Sequence, residues 1–331
     1  MNDPLIFSLV LILLAALGLY VGVRLLWAAV PWAGLWRGAV MATPVIGLCV
    51  YHTPTAPGIA VATLVSAAVL AVTLGLGVST IDLPVAEADG SPTLRTLLPL
   101  AAVTCLVGFH GDLKWWHALA LLAVGGLTLW TADGERRSAR SPAMPVLALP
   151  AAVLIAAGLV GLVWGVTVFT SLGRAAAFTP VIVLLTVPAV LLALLGLLTS
   201  EAREQTPETP HETVVGLTAA CLGIGLPIVI AASLGFEALA WKVLALTPPA
   251  GGVATQPVMS AIVSSTQPAT PPAVVMPLAT WRIDSVLLVV VSVLLLPLGF
   301  GRFKIGRAEG AWLIVLYLAY AAVSTRAVTG G

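Results

Sequence analysis

The chain has 331 residues, of which 60% are hydrophobic and 9% charged, with a formal net charge of +1. Its mean hydropathy is +1.08. A soluble domain carries about 25% charged residues, so this composition excludes a water-soluble globule, and the near-zero net charge offers no footprint for nucleic acid. Only helices and closed barrels satisfy their backbone polar groups in lipid. The apolar runs are long and continuous rather than short and alternating, which excludes a barrel. The composition therefore predicts an all-α polytopic membrane protein.

The first run, 5–30, lacks a basic leader and exceeds the usual length of a signal core, so it reads as a retained span. A span needs about 20 apolar residues. Further candidates are 95–110, 114–131, 145–171, 175–200, 284–300 and 310–325. Two apolar regions contain prolines: 44–79, with Pro54 and Pro57, and 214–246, with Pro227. Each reads either as a broken helix or tight hairpin of the kind that frames a transporter site, or as an ordinary kinked span. Basic clusters at Arg136, Arg137 and Arg140, and at Arg302, Lys304 and Arg307, place two loops on the cytoplasmic side. Equal sidedness requires an even number of crossings between them. Five apolar stretches lie there, so one is not a full crossing, and 258–279 with its four prolines is the weakest. Trp32, Trp36, Trp115, Trp116 and Trp281 flank spans and fit an aromatic belt at the headgroups.

Chemistry-bearing residues are sparse. Cys49, Cys105 and Cys221 lie in apolar runs and read as small buried hydrophobes. His110, Asp112, Lys114 and His117 could bind a metal, but polar residues in a short loop between spans read better as a solvated turn. Acids inside a span are costly and usually functional. None falls in the middle of a candidate span: Asp284 and Glu309 sit near span ends, and Glu237 reads as interfacial. No nucleotide-binding, hydrolase, haem or zinc motif is present, and no enzyme or cofactor is expected.

Residues 211–228, HETVVGLTAACLGIGLPI, resemble the ion-binding repeat of the sodium/calcium (cation/proton) exchanger superfamily, roughly S-E-T-V-I-G-L-T-x-x-x-L-G-T-S-L-P-E. The family's closing glutamate is replaced by Ile228. PVIGLCVYHTPTAPGIA at 44–60 resembles the other copy of the repeat, with Gly58 at the glutamate position. PVIGL at 44–48 also matches TVVGL at 213–217 within this chain. The neighbouring G-N-x-x-G-S-N helix has a counterpart at 255–264, with Gln256 and Ser260, and a remnant at Ser66 in the first half. The stretch 281–322 resembles the family's terminal helix pair.

The resemblance implies about ten transmembrane helices in two homologous halves, with broken helices near Pro57 and Pro227, helix-break residues Gly58 and Gly223, and no metal ligands. The first half covers 1–131, a basic cytoplasmic linker 132–144, and the second half 145–331 with one extra helix. That extra helix leaves two readings: one of 145–171 and 175–200 lies in the interface, or the first half has lost a crossing near 44–79.

The candidate ligand-binding residues that the resemblance implies are His52, Thr53, Thr55, Ser66, Thr218, Gln256 and Ser260. His52 reads either as a proton carrier or as a neutral imidazole bonded to a carbonyl freed by proline. The hydroxyls read either as cage ligands or as partners of their own helix carbonyls. The implied function is a divergent cation- or solute-transport protein that does not exchange calcium, acting on a monovalent cation, a proton or a small solute. The alternative is a non-transporting scaffold or accessory subunit bound to other membrane subunits. The expected partner is the lipid bilayer, and the compact loops suggest a bacterial inner membrane.

Overall fold

The computed structural model describes residues 4–29, 34–54, 57–82, 92–109, 112–133, 145–171, 210–235, 274–275, 278–300 and 306–329. Almost all of them are helical. The chain runs through α1 (Pro4–Ala29), α2 (Gly34–His52), α3 (Pro57–Leu70), a π turn (Ala71–Gly75) and α4 (Leu76–Asp82), then α5 (Pro92–Gly108) and α6 (Trp115–Asp133). The second part has a 3₁₀ turn (Pro145–Leu147), α7 (Ala148–Ser171), α8 (Pro210–Ala220), a second π turn (Cys221–Gly225), and α9 at 226–235. It ends with α10 (Leu278–Gly299) and α11 (Arg307–Thr329).

The proline-rich region 44–79 contains two helices. α2 ends at His52, and Pro57 opens α3, where a first-turn proline loses no hydrogen bond and its fixed φ suits the helix. Region 44–79 is therefore not one kinked span: it holds the end of α2 and the helical run that starts at Pro57. The expected break at Pro227 is corrected: the helix continues through it. Pro227 has no N–H to bond the carbonyl four residues back, and its ring crowds that carbonyl. The backbone relaxes one turn earlier, and the Leu226 N–H reaches Cys221 O, five residues back. The first rod has the same device without a proline, with the Leu76 N–H on Ala71 O.

These two rods are the centre of the molecule. Ala60–Val78 and Val214–Gly235 are each long and apolar enough to cross a membrane, and most of each is covered by other helices. α2 lies along α8, and α10 lies along α5. α1 and α7 form a peripheral pair. Their contact is glycine-rich: a Cβ on Gly22 would stand 2.9 Å from Ile155 Cγ1, and one on Gly158 would stand 2.7 Å from Leu19 Cγ. Small residues at such spacing let helix backbones approach where no hydrophobic effect drives association. A close backbone-to-backbone crossing joins α6 to the second π turn, where a Cβ on Gly125 or Gly223 would overlap the other residue's Cα.

The exterior is apolar. Leu13, Leu14, Leu17, Leu106, Trp130, Leu149 and Trp312 are all more than half exposed. A soluble monomer rarely presents so continuous an apolar surface, whereas lipid tails require one.

Two expectations are corrected, one on α10 and one in the loop before α6. Trp281 is only 1% exposed and stacks onto Gly108 of α5, so it is a packing residue rather than part of a headgroup belt. Trp115 and Trp116 are exposed, as the belt requires. The described part of the polar loop, 112–117, is more ordered than a solvated turn. Asp112–Leu113 forms a two-residue antiparallel bridge with Val274–Val275. His117 is buried, and its Nδ1 accepts the Lys114 N–H at 2.9 Å, capping α6. Glu309 does the same for α11, accepting the Gly306 N–H at 2.8 Å.

Candidate functional site

Those residues implied by the repeat resemblance that are described lie on the central rods and their neighbours. His52 is the last residue of α2, half-buried, with its ring edge-on to Tyr51 at 5.2 Å between centroids. Thr53 is buried in the following turn and donates to Cys49 O at 2.7 Å. Thr218 is buried in α8 and donates to Val214 O at 2.9 Å. Both hydroxyls take the bond that a membrane-helix Thr makes when no other acceptor is in reach. Pro57 and Gly58 sit half-buried in the first turn of α3. Gly223 is buried against α6, whereas Ile228 is 41% exposed. Thr55, Gln256 and Ser260 lie outside the described residues, as do the stretches 175–200 and 258–273 and Glu237.

The α2–α8 crossing, where the two stretches resembling the repeat meet, is packed with Val45, Leu48, Cys49, Val214, Val215 and Leu217, all at most 2% exposed. Among the described residues no group of three His, Cys, Asp or Glu side chains converges anywhere.

Ser66 behaves differently. It is buried in the middle of α3, nine residues past Pro57, which is about 14 Å along the helix. Its Oγ donates to Asp284 Oδ2 at 2.7 Å. Tyr320 Oη of α11 lies 2.8 Å from Asp284 Oδ1 and 3.1 Å from Ser66 Oγ. Asp284 is completely buried. Two regions distant in sequence thus meet on one carboxyl group: α3 from the first part, and the consecutive helices α10 and α11 from the second.

Sequence reasoning assigned Asp284 to a span end because Arg282 and Asp284 fix the apparent edge of the apolar run. α10 instead starts at Leu278, which carries Asp284 into its second turn. A signal was available. Trp281, Asp284, Ser285, Leu288, Ser292 and Leu295 recur at helical spacing, and all are buried. Tyr317 and Tyr320 form a similar buried pair on α11. A polar stripe facing inward on an otherwise apolar helix marks an interhelical contact.

No protein-family model and no curated protein matches this sequence. Solved structures do. The sodium-calcium exchanger NCX_Mj soaked with zero Na⁺ and Ca²⁺ matches with a TM-score of 0.60 at 18% identity, covering 96% of this chain and 99% of that one. The same exchanger soaked with 100 mM Na⁺ and 10 mM Sr²⁺ gives 0.59 at 19% identity, covering 96% and 98%. A third form, soaked with 2.5 mM Na⁺ and 10 mM Sr²⁺, gives 0.57 at 19% identity, covering 96% and 97%. At this level of identity the likeness concerns the fold, and it extends over nearly the whole of both chains: this chain has the fold of the sodium/calcium exchanger structures.

Proposed function

We propose that this chain is an integral membrane protein of secondary-transport type, built on the exchanger fold, that does not exchange calcium. The observation that carries the reading is the state of the central crossing. The fold likeness to the exchanger structures extends over 96% of the chain, yet Gly58 and Ile228 stand where the sequence resemblance would put the family's two glutamates. Calcium takes six to eight oxygen ligands, usually including carboxylates, and the two threonine hydroxyls at this crossing are held on their own helix carbonyls. A monovalent cation, a proton or a small neutral solute asks less of the site, because helix carbonyls and hydroxyls can hold it. The two-half division at 132–144 and a bacterial inner membrane belong to the same reading.

The second reading is a membrane scaffold that kept the fold without the transport. The dense apolar packing of Val45, Leu48, Val214 and Leu217 favours it, since each of these side chains is apolar and at most 2% exposed. Purified protein in proteoliposomes separates the two. A ligand that binds only the folded state raises its stability, so a transport protein shows a melting temperature that rises with sodium, potassium, acid or a solute, and calcium gives no rise. Unchanged melting across all of these, with co-purification of stoichiometric membrane partners on mild extraction, overturns transport in favour of the scaffold. A sodium-dependent calcium flux overturns both.

A further inference from the structure

The contacts at Asp284 contain a proton count. Three oxygen–oxygen contacts close a triangle: Ser66 to Asp284 at 2.7 Å, Tyr320 to Asp284 at 2.8 Å, and Tyr320 to Ser66 at 3.1 Å. Ser66 and Tyr320 each carry one hydroxyl proton, and an ionised carboxylate only accepts. With Asp284 ionised, both protons go to the carboxylate and the Tyr320–Ser66 contact has no hydrogen in it. With Asp284 protonated, every contact is made. The carboxyl Oδ1–H donates to Tyr320, Tyr320 donates to Ser66, and Ser66 donates back to Oδ2, so each group donates once and accepts once.

The surroundings agree with the protonated count. Asp284 is 0% exposed and Ser66 is 3% exposed. From α3 the groups on this side are Thr63 and Ser66, and from α11 they are Tyr317 and Tyr320. The nearest cation in sequence, Arg282, is exposed two residues away, on the other side of α10. On α5, which packs against α10, Arg95 lies over the Phe300 ring at 4.6 Å, at the far end of that helix. Among the described residues the partners given for Asp284 are the hydroxyls of Ser66 and Tyr320, and isolating an ionised carboxylate from water without a cation is far more costly than keeping it neutral.

We infer that Asp284, Ser66 and Tyr320 form a buried proton-binding site, closed into a hydrogen-bonded ring that ties α3 to α10 and α11. Opening the ring exposes Asp284 to water, and the carboxyl O–H bond breaks, leaving the carboxylate and passing the proton to a water molecule. Closing it takes the proton back. Separation of α3 from the terminal helix pair is thereby linked to release of one proton per chain. The site stands whether or not the protein carries a solute.

Infrared difference spectroscopy of the full-length protein in lipid vesicles, between neutral and alkaline buffer, tests this directly. The expected result is one protonated-carboxyl C=O band at neutral pH, absent in Asp284→Asn and shifted in frequency in Tyr320→Phe, where the ring loses a partner but the acid remains. No such band at neutral pH overturns the inference, and so does a band that survives Asp284→Asn. Should Asp284→Asn fail to fold, Tyr320→Phe decides alone, and an unshifted band overturns it. Failure of the transport reading appears in the melting and flux experiments and leaves this band untouched.

Discussion

The α2–α8 crossing and the α3–α10–α11 junction are built from similar ingredients, buried hydroxyls on apolar helices, yet use them in opposite ways. At the crossing, Thr53 and Thr218 turn back onto their own helices. At the junction, Ser66 reaches across to a residue 218 positions away. A back-bond at i−4 is available to any Ser or Thr in a helix and says nothing about neighbours. Thr73, Thr104, Thr128, Ser233 and Ser292 make the same bond. A hydroxyl that gives up this bond does so because a stronger acceptor stands in reach, and here that acceptor is a carboxyl group. Where the sequence resemblance points to a site, the hydroxyls are local. At the junction, where it points to Ser66 but not to Asp284, the hydroxyls join the two parts of the molecule.

The comparison breaks most severely if the crossing is forced apart. Gly223→Leu places a side chain where Gly125 Cα already stands. Overpacking typically costs about 1–3 kcal/mol, and backbone against backbone leaves little room to relax, so the effect falls at or above the top of that range. Loss of monodisperse protein after extraction, or a melting temperature lowered far more than by Gly126→Leu, is the expected outcome. Gly126 has nothing within 4 Å of its would-be Cβ and serves as the control.

The junction responds next. Asp284→Leu removes the acceptor of the Ser66 hydroxyl and the donor to Tyr320, and each unsatisfied group costs about 1–3 kcal/mol. Asp284→Asn keeps a donor and an acceptor and stays much closer to the parent. A thermal melt that ranks Leu well below Asn, with Asn near the parent at neutral pH, sharpens the contrast with the crossing. Equal melts for the two variants mean that the ring does not hold the helices together.

How much of this was legible in the sequence follows from the same physics. The helical class and the exchanger-like framework came from hydropathy and from the GLT…LG…LP scaffold at 216–227, because close helix packing demands those small residues at those places. Gly223 shows it, lying against Gly125 of α6. The helix start at Pro57 was legible because proline has one comfortable place in a helix. The path through Pro227 was not, since a proline can be accommodated by a break or by a π turn, and only the surrounding packing chooses between them. The junction was hidden for a different reason. Asp284 lies beside Arg282, and a charged pair at the edge of an apolar run looks like its end. Burial of one and exposure of the other is decided by helix phase against α3 and α11, which neither hydropathy nor motif spacing reports.

The smallest effect tests the crossing as a site. Thr53→Val and Thr218→Val keep shape and remove only the hydroxyl. Interhelical hydrogen bonds in membrane proteins average about 0.6 kcal/mol, and a bond back to the same helix contributes no more than this to tertiary stability. Each variant should therefore melt within a degree or two of the parent, roughly the shift that 0.6 kcal/mol produces in a chain of this size. Ion- or solute-dependent stabilisation is the sharper readout. If it survives both substitutions, these two threonines are helix-internal groups, and the binding position lies elsewhere along the central rods. If it disappears in either while the unliganded melt is unchanged, the hydroxyl leaves its own carbonyl when ligand arrives. The likeness between the crossing and the junction would then be restored, with both regions holding hydroxyls that change partner as the protein works.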